Sequence, residues 1–442
     1  KSEKNILETM DSRIWKSEKN ILETMDSRIW KSELLMERKI YDAVKYSQRF
    51  QNWIIDQNQM NLKENQNGIC DYLLLNDTFN TFHHGSTGTS LAILHHLKQK
   101  TSKEIISIPL QDASMPIGIY PKNINDFTSI EFYKRWSELN KDIIGKIKLC
   151  KHVIVNGEGC ISHYNDGTLN MLYIIYISKT VFNKKVSLIN HSVFTSNYVD
   201  VLNVDEQKDF INIVLLVYNI LDNCKVREKY SLKELNDIGY VKSSLAFDCL
   251  PLYIEEIYKN NKESNNLAKE YITISGGNFL DEWYTGFIYE ILPELKKKYP
   301  NAKIIFLYSD IPYSETTGDM EIFKLLKNKL GENSIILKKV NLTDEWLGVL
   351  EKSYILISGR FHHTIASFML DIPFLAFKTN TKKLEGILEI MEKEESLLER
   401  ENIDKSIEKA RRLISSNKFY LSNNNNIKNK IITLAKSNFK NI

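Results

Sequence analysis

Two α/β domains, each a parallel sheet covered by helices on both faces, with a helical segment ahead of them, are predicted by three observations. From about residue 66, short apolar runs alternate with longer amphipathic stretches. The alternation breaks at a polar stretch, "YKNNKESNNLAKE" (258–270), and restarts beyond it. Ahead of both, "KSEKNILETMDSRIW" fills residues 1–15 and recurs unchanged at 16–30.

The leading segment, residues 1–65, reads as helical. Leu7, Met10 and Ile14 are spaced by three and four, and Leu22, Met25 and Ile29 restart the pattern. Fifteen residues over four turns is about 3.75 residues per turn, a period that implies a right-handed supercoil. The expectation is an oligomerising coiled-coil stalk, with a lone solvated helix as the alternative. A third copy begins at Lys31, so a longer array is expected.

Residues 66–257 form the first predicted domain. Strands are expected at 70–76, 104–110, 152–156 and 185–190, and helices at 86–99, 129–144 and 205–221. Thr128 with Glu131, and Ser231 with Glu234, have the spacing of capping boxes and predict helix starts. After the 258–270 linker, residues 271–442 carry strands at 271–277, 302–310, 333–339, 353–359 and 372–378, and then a helical tail. Two such Rossmann-like domains leave a cleft between the carboxyl ends of their sheets, where ligands bind in folds of this kind.

Bulk properties exclude some functions and leave others open. With 59 basic and 56 acidic residues the net charge is +3, which offers no general attraction to nucleic acid. The five cysteines, Cys70, Cys150, Cys160, Cys224 and Cys249, form no C-x-x-C pair. Neither zinc nor a disulfide framework is indicated, and a cytoplasmic location is expected. No metal is required by any motif. No long apolar run predicts a membrane span, although peripheral association with the inner face of the plasma membrane stays open.

Candidate site residues are found where strands end. "HHGSTGTS" (83–90) opens a helix; Gly85 and Gly88 permit close backbone approach, and the helix start favours an anion. A plain capped loop is the competing reading. "VNGEGCISH" (155–163) places Glu158 between Gly157 and Gly159, a carboxylate on a tight turn that suits a general base or acid, or a surface turn. Gly276 and Gly277 in "ISGGNF" fit a phosphate-binding turn. Asp310 and Asp319 orient hydroxyls or cap helices. Arg360 and His362 stand where an apolar strand becomes an apolar helix in "ISGRFHHTIASF". An arginine fork matches carboxylate or phosphate, and a nearby histidine can donate to the same anion or move a proton. His363 points elsewhere on the helix and is expected to pack.

The order of "VREKYS" (226–231), "VIVNGEG" (153–159) and "SGRFHHTIASFMLDIPFLAFKTNTKK" (358–383) resembles the polysaccharide pyruvyl transferase family over roughly residues 70–395. The resemblance implies a GT-B-like pair of Rossmann domains and a bacterial enzyme of capsule or lipopolysaccharide biosynthesis. It implies transfer of a pyruvyl unit from phosphoenolpyruvate to a sugar or polysaccharide acceptor as a ketal, with no cofactor beyond the donor. It also implies that Arg227, Arg360 and His362 bind donor or catalyse, with Lys382 or Lys383 beside them. The chain departs from the family where "HHGSTG" replaces a Gly-Asp turn and where Glu158 interrupts glycines. That carboxylate keeps open a glycosyltransferase using a CMP-activated keto-acid sugar (Kdo or sialic acid), with Glu158 as base. An inactive coiled-coil scaffold is the non-enzymatic alternative.

Overall fold

The computed structural model describes residues 70–114, 118–161, 164–195, 204–261, 268–277, 282–308, 310–311, 318–378, 381–399, 401–416 and 425–442. The predicted helical segment at 1–65, with its repeat at 1–30, and His163 lie outside the described residues.

The first sheet contains Cys70–Asp77 (β1), Ile106–Pro109 (β3), Cys150–Ile161 (β4), Lys185–Val193 (β5), Asn223–Val226 (β6) and Ser244–Leu245 (β7). Its order is β3-β1-β4-β5-β6-β7, parallel throughout. The second sheet contains Tyr271–Gly277 (β8), Lys303–Leu307 (β9), Ile336–Lys338 (β11), Ser353–Gly359 (β12), Phe374–Phe377 (β13) and Leu397–Leu398 (β14). It is also parallel, ordered β11-β9-β8-β12-β13-β14. The continuous apolar runs of the sequence follow from this arrangement, because strands covered on both faces have no solvent side to mark with polar residues. Phe82–His83 (β2) pairs antiparallel with Asp310–Ile311 (β10), a two-stranded bridge from one unit to the other.

Two helix starts fall elsewhere than the capping-box spacing predicts. Ser129 caps Ile130–Leu139 by accepting from Phe132 N, while Thr128 closes the preceding short helix. Glu228, with two carboxylate oxygens facing Ser231 N, outcompetes a serine hydroxyl and caps Lys229–Asp237. The polar stretch after residue 258 continues a helix at first, through a π-helical turn at Ile254–Tyr258 and on to Asn261.

Each sheet has its own apolar cluster on its outer face. A third cluster is shared by both units and joins Leu74, Ile154 and Ile189 to Leu307, Leu356, Ile365 and Leu384. Helices that border the junction include His84–Lys98 (α1), Phe361–Met369 (α2), Lys383–Met391 (α3) and Asn425–Lys436 (α4). The chain beyond α4 returns to the first unit, where Asn438 accepts from Asn190 N at 3.0 Å and donates to Phe247 O at 2.8 Å.

Candidate active site

The carboxyl ends of β1, β4, β6 and β7 on one side, and of β8 and β12 on the other, converge where β2 and β10 meet. Arg227 follows β6 directly and is 2% exposed. Its Nε donates to Ser192 Oγ at 2.9 Å and its Nη1 to Asp248 Oδ2 at 2.8 Å, and its guanidinium lies 4.4 Å from the centroid of the Phe361 ring. The other end of the fork faces Gly159. A Cβ built on that glycine would stand 3.7 Å from Arg227 Nη2 and 3.9 Å from Lys383 Nζ. Two cations therefore flank the space over Gly159. Burial, and then the charge of Arg227, pushes the Lys383 ammonium down to about 8.

Glu158 sits beside this pair but not on a turn. Strand β4 runs on to Ile161, and Glu158 lies within it at φ 39°, a left-handed conformation unusual for a residue with a side chain. The register with β5 shifts at that point, so the carboxylate is turned away from the strand. Thr78 Oγ1 donates to Oε1 at 2.7 Å, Asn156 Nδ2 donates to the same oxygen at 3.3 Å, and Ser86 Oγ donates to Oε2 at 2.8 Å. Both oxygens are engaged, which makes Glu158 a brace between β4 and α1 and not the accessible base expected from the sequence.

The glycines of "HHGSTG" lie in the first turns of α1, at the helix start expected from the sequence, and are buried. A Cβ on Gly85 would overlap the His362 side chain, and one on Gly88 would stand 2.8 Å from Leu250 Cδ1. Both serve close packing of α1 against its neighbours. Gly276 and Gly277 act similarly at the end of β8. The first makes room for the Asp319 carboxylate, and a Cβ on the second would stand 2.7 Å from Gly359 Cα. The residues that follow Gly277, 278–281, lie outside the described residues.

Arg360 caps the start of α2, but its side chain turns to carboxylates. Its Nη2 is 2.7 Å from Asp319 Oδ1 and 3.0 Å from Asp310 Oδ1. Burial raises the Asp310 carboxyl despite the nearby arginine. Asp310 and Asp319 thus neutralise Arg360, so the arginine is not held as a bare anion claw. Two residues along, His362 faces the opposite unit: its Nε2 is 3.4 Å from Asp248 Oδ2 and its ring centroid is 5.0 Å from that of His83. His83, whose Nδ1 accepts from Ser86 N, is held far below the usual imidazole range by burial and then by the cationic field of His362 and Arg360. A small pocket of about 20 Å³, partly open to solvent, lies between His83, Arg360, Phe361 and His362. His363 packs edge-on against Trp346. Lys382 is exposed, 5.6 Å from the Tyr230 ring centroid and outside the group.

The structure thus gathers Arg227, Lys383, Glu158, His362, Arg360 and Gly85 at one junction and leaves Lys382 and Gly88 to the side. Sequence reading misses Asp248, the carboxylate that contacts both Arg227 and His362. The available signal was a lone charge in the apolar run "LAFDCL", since a buried carboxylate must be paired. Among the described residues no group of histidine, cysteine and carboxylates is arranged to hold a metal ion, and no helix is long and apolar enough to cross a membrane.

Solved structures share this architecture. S. aureus MnaA in a co-structure with UDP is 14% identical with a TM-score of 0.50, covering 84% of this chain and 97% of that one. A UDP-N-acetylglucosamine 2-epimerase assigned in Listeria monocytogenes is 13% identical with a TM-score of 0.51, covering 85% and 97%. The corresponding epimerase of Rickettsia bellii is 12% identical with a TM-score of 0.50, covering 84% and 95%. At such identities the likeness establishes the fold, two parallel-sheet α/β domains of GT-B type. No curated protein matches the chain. The family model for polysaccharide pyruvyl transferase matches residues 89–381, more than half of the 442 residues, and spans most of the cleft-lining segments; the chain belongs to that family of transferases.

Proposed function

We propose that this protein transfers a pyruvyl unit from phosphoenolpyruvate to two hydroxyls of one sugar, in the synthesis of a bacterial surface polysaccharide. The observation that carries this reading is the pair of cations, Arg227 and Lys383, flanking Gly159 over the Phe361 ring. A small donor carrying both a phosphate and a carboxylate fits two positive groups set at the end of a parallel sheet. In this reading His362 supplies the proton that converts the donor's methylene into a methyl group. One sugar hydroxyl adds to the adjoining carbon, phosphate leaves with the electron pair of its C–O bond, and the second hydroxyl closes the ketal. The two hydroxyl protons balance the new methyl hydrogen and the proton carried by the departing phosphate. Arg227 and Lys383 act where leaving-group charge develops.

The competing reading, transfer of a CMP-activated keto-acid sugar, relied on Glu158 as base. With both oxygens accepting from Thr78, Asn156 and Ser86, that carboxylate gives it no support. Thermal shift with phosphoenolpyruvate, CMP and CDP separates the two, because a ligand that binds only the folded state raises its melting temperature. Phosphoenolpyruvate is expected to raise it by several degrees, and Arg227→Ala to abolish that rise. Stabilisation by CMP alone would transfer the assignment to a glycosyltransferase.

A further inference from the structure

Asp248 joins the two units through a single carboxylate. It lies beyond β7 in the first unit and is 0% exposed. Its Oδ2 is 2.8 Å from Arg227 Nη1 and 3.4 Å from His362 Nε2. Its Oδ1 accepts from Leu250 N at 2.9 Å and from Thr89 Oγ1 at 3.3 Å. The backbone on either side is pinned as well, since Asn438 Nδ2 donates to Phe247 O and Cys249 N donates to Asn190 Oδ1. A carboxylate held this way is fixed in place before any substrate arrives. Neutralising Arg227 would require only one of these contacts; it does not explain why an imidazole from the other unit reaches the same oxygen.

We propose that Asp248 is a positioning residue that acts through His362, orienting the imidazole across the junction between the units and favouring its protonated form. This rests on the reading of the cleft as the transfer site. The other charged or titratable groups gathered at His362 are His83 from β2, Arg227, which shares Asp248 Oδ2 with it, and Arg360 and His363 beside it in sequence. Asp248 is the carboxylate in ion-pair contact with the ring. Burial raises the Asp248 carboxyl, but His362 and Arg227 overcome that effect and hold it well below the ordinary range. The 3.4 Å separation is long for a hydrogen bond, as is common before substrate closes a site.

The direct test is a titration of His362 by NMR on protein labelled in its histidines, with the signal assigned through His362→Gln. It needs no substrate. In Asp248→Asn the midpoint is expected to fall by about one pH unit or more, and the alkaline limb of the transfer rate, set by loss of the protonated imidazole, to move down with it. A midpoint unchanged within about 0.2 pH unit in a folded variant overturns the proposal. A midpoint that moves in a protein unable to use phosphoenolpyruvate leaves Asp248 assigned and removes the donor instead. If Asp248→Asn leaves buried Arg227 uncompensated and does not fold, Arg227→Met and Asp248→Asn/Arg227→Met are compared. The double variant should titrate lower than the single one, and equal midpoints overturn the proposal.

Discussion

Lys383 has the residue-scale property most open to measurement, a titration near neutrality. Its ammonium is pushed down to about 8, first by burial and then by Arg227. A cation of depressed pKa is charged below that value and neutral above it. Donor affinity should therefore be level on the acid side of about pH 8 and weaken above it, by at most tenfold per pH unit for one charge. Lys383→Arg keeps its charge and should give an affinity for phosphoenolpyruvate that stays level up to about pH 9.5. A parent affinity already level through pH 9.5 would remove Lys383 from the donor site. At this scale the sequence was legible where a residue type and a strand end coincide, as for Arg360 and His362, whereas Arg227 follows a strand too short to read and was indicated by the family resemblance alone. It was illegible where the decisive partner is remote. Asp310 and Asp319 neutralise Arg360 from 50 and 41 positions away in sequence, and no local pattern announces them. Glu158 illustrates the same limit: its flanking glycines imitate a turn, whereas the strand continues through it to Ile161 despite its left-handed backbone.

Among the elements, α1 is the one whose role changed most. Its glycine-rich start resembles an anion-binding loop in sequence, yet Gly85 is consumed by the approach of His362 from α2. Gly85→Ala should displace the imidazole, because the clash falls on the His362 Cβ and ring and not on a mobile tip. Overpacking of this kind costs about 1–3 kcal/mol, or a melting temperature lower by several degrees. Turnover should fall further, about a hundredfold, as expected of a catalytic group misplaced by an ångström. A folded Gly85→Ala protein with undiminished turnover would exclude His362 from the chemistry. The long strands were legible from runs of five residues or more, and the long helices from amphipathic stretches. Strands β7 and β14, each two residues long, and β6, with four, are too short to establish a periodicity. They are recognisable only once their neighbours exist to pair with.

For the whole molecule, the shared apolar cluster and the β2–β10 bridge make the junction part of the core. The repeat at 1–30 stands apart from that body in sequence. A coiled-coil role predicts that deleting residues 1–33 lowers the molar mass measured by light scattering without altering turnover per active site. An unchanged mass would dismiss the stalk as an oligomerisation device. The return of the chain beyond α4 has a different bearing. Asn438 pairs with Asn190, 248 positions earlier, and steadies the segment that carries Asp248. At ~5–20 residues per second, a ribosome delivers Asn438 roughly 12–50 s after Asn190. The nascent first unit thus waits without its Asn438 contacts while the second unit is made, and the enzyme gains this support for the Asp248 segment only when synthesis has passed through both.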